Sequence, residues 1–206
     1  MTTIRSAVDL VTDLPAGRAL AAFACGCAQR AAALWTTAED PRLAALLRDA
    51  LAAAWQGAET GERPAPELVP GLLDEFDEDT DFGEFHGQRM DALVTVAHAV
   101  ATAVALGDEE AVLRKATAAA KAEINIVKGL YAERHGTWSG ALEHVSVARE
   151  LGWQRDDLAE LAADGSPGRF AVIRSRAAMA GALLRAGVLK DDWTGRLPGP
   201  EEPVLF

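Results

Sequence analysis

Aromatic side chains are scarce in this chain: one tyrosine, five tryptophans and six phenylalanines among 206 residues. Missing too is any stretch that alternates apolar and polar residues with Val, Ile or Thr enrichment. That absence excludes a sheet as the main architecture. Cysteine is limited to Cys25 and Cys27. Two positions apart on a helix, they project from nearly opposite sides and cannot bridge each other, and two cysteines do not make a secreted disulfide framework. Basic residues are outnumbered by acids, 20 to 31, for a formal net charge of −11. Nucleic acid is excluded as a partner on this ground, because Lys and Arg must neutralise its phosphates. An anionic membrane surface is disfavoured for the same reason.

Long apolar runs are absent as well. The longest, residues 92–106, is interrupted by His98, and a membrane span needs about twenty apolar residues. The opening nine residues are mostly polar, with a single Arg5 and no signal-peptide pattern. A cytoplasmic location is the expectation.

What the chain has in abundance is alanine, the residue that loses least on becoming helical. Half of all residues are apolar, enough to bury one core. Apolar positions recur every three or four residues. A first helix is expected over 4–14, and a second opens at Pro15 behind Asp13 and runs to about Thr37. Its stripe is Leu20, Phe23, Cys27, Ala31 and Leu34. Asp40-Pro41 reads as an N-cap and first-turn proline, opening a third helix that Gly57 should stop. A loop over 57–70 and a short helix over 67–76 follow. A long helix spans about 84–106, and Asp108 caps the next, to about Arg134. Helices over 141–151 (closed by Gly152), from Asp156 or Asp157 to Ala163, and from Pro167 to Arg185 complete the set. The expectation is an all-α, single-domain bundle of about eight helices over 1–197, with an extended C-terminal tail over 198–206.

The most unusual segment is residues 74–84, with seven acids and no base. Asp77, Asp79 and Asp81 invite comparison with a calcium loop, which needs Gly at its sixth position and Glu at its twelfth. Those places hold Phe82 and Gln88, and the comparison fails. Phe76, Phe82 and Phe85 suggest that the segment is pinned to the bundle. Asp74, Asp77, Glu78, Asp79, Asp81 and Glu84 are therefore candidates for an acidic binding face.

On the long helix, Asp91, Thr95, His98 and Thr102 form a polar stripe opposite Leu93, Ala97, Val100 and Val104. Asp91 and His98, with Glu123 from the following helix, are the candidates for a pocket that could do acid–base or metal-assisted work. A di-iron bundle wants Glu-x-x-His pairs on facing helices, and none occurs. Glu123 and Asn125 lie mid-helix among apolar residues, where a buried polar network that fixes helix register is the plainer reading. Gly26 is mid-helix and reads as a point of close helix contact. Nucleophile elbow, phosphate loop and dinucleotide fingerprint are all missing. No metal or cofactor is expected.

The order of these pieces carries a resemblance. A helix reading Phe23-Ala-Cys25-Gly-Cys27-Ala-Gln29-Arg30 precedes a Leu/Ala helix ending near Trp55. Phe76 and Asp79-Thr-Asp81-Phe82-Gly83 come next, then the helices at Asp91 and 120–127. This layout, over roughly residues 15–165, resembles the bacterial YjaG-like family of domains of unknown function. Gln29 stands where that pattern would carry Glu. The resemblance implies an all-helical cytoplasmic bundle and brings no reaction or cofactor.

Three functional readings follow. The first is a non-catalytic binding or regulatory protein, inhibitor- or immunity-like, whose acidic face meets a basic protein partner. The second is a small-molecule or metal-assisted enzyme with a pocket between helices. The third is a homodimer joined through an Ala-rich helix face.

Overall fold

Proline, glycine and acidic residues punctuate alanine-rich stretches, and the backbone answers each mark with a helix end. The computed structural model describes residues 11, 14, 17–35, 41–74, 86–141, 144–163 and 166–190. It is all-α. Seven helices occur among the described residues, and no strand: α1 (Arg18–Ala32), α2 (Pro41–Thr60), α3 (Leu68–Leu73), α4 (His86–Val104), α5 (Glu109–His135), α6 (Val145–Ala163) and α7 (Pro167–Lys190). Apart from residues 11 and 14, the first expected helix lies outside the described residues, as does the 198–206 tail. No helix among the described residues is long and apolar enough to cross a membrane.

The core is organised around α1. It packs against α2, α4, α5, α6 and α7, and every residue from Leu20 to Trp35 is buried. The stripe read from the sequence was one face of a helix that is in fact enclosed on all sides. Small residues make this possible: Ala21, Ala22, Ala24, Gly26, Ala28 and Ala31 keep α1 thin enough for five neighbours to approach. Phe23, Leu20 and Trp55 supply the large core volumes.

Several boundaries differ from expectation, each for a packing reason. Gly57 does not stop α2. A Cβ there would lie 3.0 Å from the Glu62 carbonyl oxygen and 3.2 Å from Ala103, so the glycine allows a close approach inside the helix, which continues to Thr60. Gly152 does not break α6 either; residues 145–163 form one helix, and Asp157 lies inside it with no capping role. Helix α1 ends at Ala32, five residues before the expected Thr37, and α7 continues past Gly187. By contrast, Asp108 caps α5 as its sequence suggests, accepting from the Ala111 N–H at 3.0 Å. Gly136 ends α5 in the left-handed region at φ 65°.

Candidate functional site

Ionisable groups concentrate where they are least expected, in the middle of the bundle. Arg30, near the end of α1, is fully buried. Its Nε and Nη2 donate to Glu123 Oε1 and Oε2 at 2.5 and 3.0 Å. This is the two-pronged geometry that a guanidinium and a carboxylate prefer. Nη1 donates to Asp157 Oδ2 at 2.6 Å, and Glu150 Oε1 lies 2.9 Å from Nε. Around this centre Gln154 Nε2 donates to Glu123 at 2.8 Å and to the Ala120 carbonyl at 3.1 Å. Arg176 closes it from α7, donating to Asp157 Oδ1 at 3.0 Å. Gly26 is the gap through which this happens: a Cβ would meet Ile173 Cγ2 at 3.0 Å and Asp157 Oδ2 at 3.3 Å.

Three carboxylates against one buried guanidinium cannot all be ionised cheaply. Burial raises Glu150 well above the ordinary carboxyl value, and the adjacent, hydrogen-bonded Glu123 raises it further. Burial also raises Asp157, with Arg30 and Arg176 working against it. For Arg30, burial opposes the charge but the surrounding carboxylates outweigh it, so the guanidinium stays charged. The cluster links α1, α5, α6 and α7, and its central groups are closed to solvent. It is a joint, not an open active centre.

Solvent reaches the core more nearly at a recess of about 590 Å³ between α1, α2 and α7. Gln29 forms its floor, Leu51, Ala52 and Trp55 one wall, and Arg174, Ser175 and Ala178 the other, with Arg48 and Glu59 also lining it. Trp55 Nε1 donates to Gln29 Oε1 at 2.9 Å. Indole nitrogen only donates, so this bond fixes which end of the amide is oxygen. The Gln29 Nε2 group is left with no protein acceptor among the described residues, although Gln29 is only 6 % exposed. Arg174 stands over the Trp55 ring, 5.7 Å from its centroid, and 3.7 Å from Glu59.

A second recess, of about 660 Å³, lies between the start of α4 and the end of α5, lined by Gln88, Asp91, Gly129, Glu133 and Trp138 among others. Gln88 is 5 % exposed and its Oε1 has no partner among the described residues. Burial raises Asp91 above the ordinary carboxyl value.

A Ser–His contact also occurs. His144 Nδ1 and Ser146 Oγ are 2.6 Å apart, but the same ring nitrogen accepts the Ser146 backbone N–H at 3.3 Å. The pair therefore caps the start of α6. Ser146 is buried, which withholds its hydroxyl from any substrate. Both cysteine thiols are pushed well above their ordinary value by burial, so neither is a ready nucleophile.

The residues singled out from sequence fare unevenly. Of the acidic-face candidates, Asp74 is exposed at the end of α3. Asp77, Glu78, Asp79, Asp81 and Glu84 lie outside the described residues. Asp91, His98 and Glu123 do not form one pocket by contact: no hydrogen bond or ion pair joins them among the described residues. Asp91 lines the second recess, Glu123 grips Arg30, and burial, followed by Lys115, lowers His98. The polar stripe on α4 is not a wet face, since Thr95 and Thr102 are buried. Each satisfies its hydroxyl on the carbonyl four residues back, Asp91 at 2.6 Å and His98 at 2.7 Å. Among the described residues no group of His, Cys, Asp and Glu is arranged to hold a metal ion.

The sequence marks Gln29, Arg30 and Trp55 only through the resemblance and Asp157 only as a helix start, and it marks none of them, nor Glu150 or Gln154, as a site residue. A charged Arg30 inside an apolar helix was the one available signal. No family model, curated protein or solved structure matches the chain.

Proposed function

We propose that this chain is a non-catalytic helical binding protein that holds a small molecule in the recess between α1, α2 and α7. The observation that carries the reading is Gln29: a nearly buried side chain, fixed by Trp55, whose amide N–H groups lack a protein acceptor and line an open recess. A donor that a nearly buried side chain presents to a recess, with no protein acceptor among the described residues, is a place for a ligand acceptor. The volume, about 590 Å³, falls within the range of ligand pockets.

The non-catalytic part rests on chemistry. Among the described residues the recess is lined by no histidine or cysteine, and its one carboxylate, Glu59, sits beside Arg174. The buried carboxylates Glu123 and Asp157 are committed to Arg30. The resemblance to YjaG-like domains agrees with this reading only in fold class and brings no activity to it.

A direct test is incubation of the purified protein, at low molar ratio, with a small-molecule extract of cells. After separation, the protein fraction should retain one or a few compounds unchanged while the rest of the extract keeps its composition. Depletion of a compound beyond the amount of protein present, with a new product appearing, contradicts the reading.

A further inference from the structure

The charge of the recess runs against that of the chain. Among its described lining residues stand Arg48 and Arg174 against Glu59 alone, in a protein of formal net charge −11. The floor adds a donor, Gln29 Nε2, while Gln29 Oε1 is already engaged by the Trp55 indole N–H. Arg174 lies 3.7 Å from Glu59, beyond ordinary hydrogen-bond length, with both side chains partly exposed. It therefore keeps N–H groups to offer, and such an exposed pair holds its partner weakly. Between these polar groups the surface is apolar: Leu51, Ala52, Trp55, Ala171 and Ala178.

We propose that the recess takes a dissolved amphipathic organic anion, its carboxylate, sulfonate or phosphate group held by Arg48, Arg174 and Gln29 Nε2, and its apolar body laid against Leu51, Trp55 and Ala178. The inference rests on the reading of this recess as a binding site and adds the ligand class. Guanidinium and amide N–H groups are matched by an anionic oxygen, and bonds to charged groups are the stronger kind. An apolar body gains from leaving water. A bilayer of anionic lipids is a poor source of such a ligand, because the chain's negative charge opposes approach to that surface.

The test uses two fluorescent probes that differ by one group: 1-anilinonaphthalene-8-sulfonate, and N-phenyl-1-naphthylamine, which lacks the sulfonate. The intact protein should bind the sulfonate probe saturably, at one site, and more tightly than the neutral probe. Arg48→Gln, at a solvent-exposed position, should weaken the sulfonate probe about tenfold and the neutral probe less than about twofold, the loss expected for one charge-assisted bond. Gln29→Glu keeps the acceptor for Trp55 and replaces the floor donor with a negative group. It should weaken the sulfonate probe further and spare the neutral one. Ala52→Trp, from an exposed position, fills the recess and should block both probes. If Gln29→Glu does not fold, Arg48→Gln carries the comparison.

Equal binding of the two probes, with Arg48→Gln without effect, overturns the anion assignment and leaves the binding-protein reading standing. Sulfonate binding that survives Ala52→Trp places the site elsewhere and overturns the inference. Failure of both probes to bind the unaltered protein removes the recess as a binding site, and the inference with it.

Discussion

Arg30 occupies a position where a leucine would pack without an electrostatic cost, and it persists there because every face of its guanidinium meets a partner. Fully buried ion pairs are costly to desolvate, and their removal is costlier still when only one side goes. Arg30→Met would leave Glu123 and Asp157 buried without their central cation. Such a loss costs about 3–5 kcal/mol, which for a chain of this size lowers Tm by about 10 °C, measurable by calorimetry. Little change in Tm would mean that the cluster is not the joint described above.

Glu150 makes a second residue-scale prediction, in the opposite direction. Its folded value is raised above the unfolded one, as is that of Asp157. Between the ordinary carboxyl value and the raised one, the folded chain binds more protons than the unfolded chain. Stability is therefore greatest below the ordinary value and declines as pH rises toward the raised one, by up to about 1.4 kcal/mol per pH unit for each such group. Glu150→Gln keeps the shape and supplies the donor to Glu123 without needing a proton. The variant should be at least as stable as the parent at neutral pH and should show a shallower decline from pH 5 to 8 in urea melts. An unchanged slope would place the raised groups elsewhere.

At the scale of elements, α1 is reached closely by α7 because Gly181 has no side chain. A Cβ there would sit 2.9 Å from Ala33 Cβ, 3.1 Å from the Arg30 carbonyl oxygen and 3.2 Å from Arg30 Cα. Two of those atoms are backbone and cannot swing aside. Gly181→Ala should therefore destabilise by about 1–3 kcal/mol through overpacking, despite alanine's better helix propensity. Gly152→Ala, where nothing lies within 4 Å, should stabilise by a fraction of that, up to about 1 kcal/mol. Denaturant midpoints moving in the same direction for both variants would contradict this distinction.

The same glycines show what a sequence can and cannot reveal. Helix type was legible nearly throughout, since three-to-four spacing survives in every segment. Gly57 and Gly152 were read as stops because a glycine inside a helix and one after it look alike along the chain; only the neighbour across the interface, Ala103 for Gly57, separates them. Gly26 was read as a contact point, and it admits Asp157 and Ile173. Glu123 was read as part of a buried network, but its partners could not be named: Arg30 lies 93 residues away and Asp157 is 127 residues from Arg30. Local patterns do not encode such separations. The recess was illegible for the same reason, being assembled from α1, α2 and α7.

At the scale of the whole molecule, the described residues hold two separate concentrations of charge. An ionic cluster centred on Arg30 is enclosed among the helices, and a recess with two arginines against one glutamate among its described lining residues opens on one flank, in a chain of net charge −11. The interior charge fixes how α1 sits against its neighbours, and the position of α1 sets Gln29 at the floor of the recess, one residue before Arg30. On the binding role proposed for the recess, structure and recognition meet on one turn of one helix. Amide chemical-shift mapping with the sulfonate probe tests that claim most directly. Shifts confined to Gln29, Arg48, Ala52, Arg174, Ser175 and Ala178 and their immediate neighbours are predicted. Shifts centred on Gln88, Gly129 and Trp138, or scattered over the surface, would contradict it.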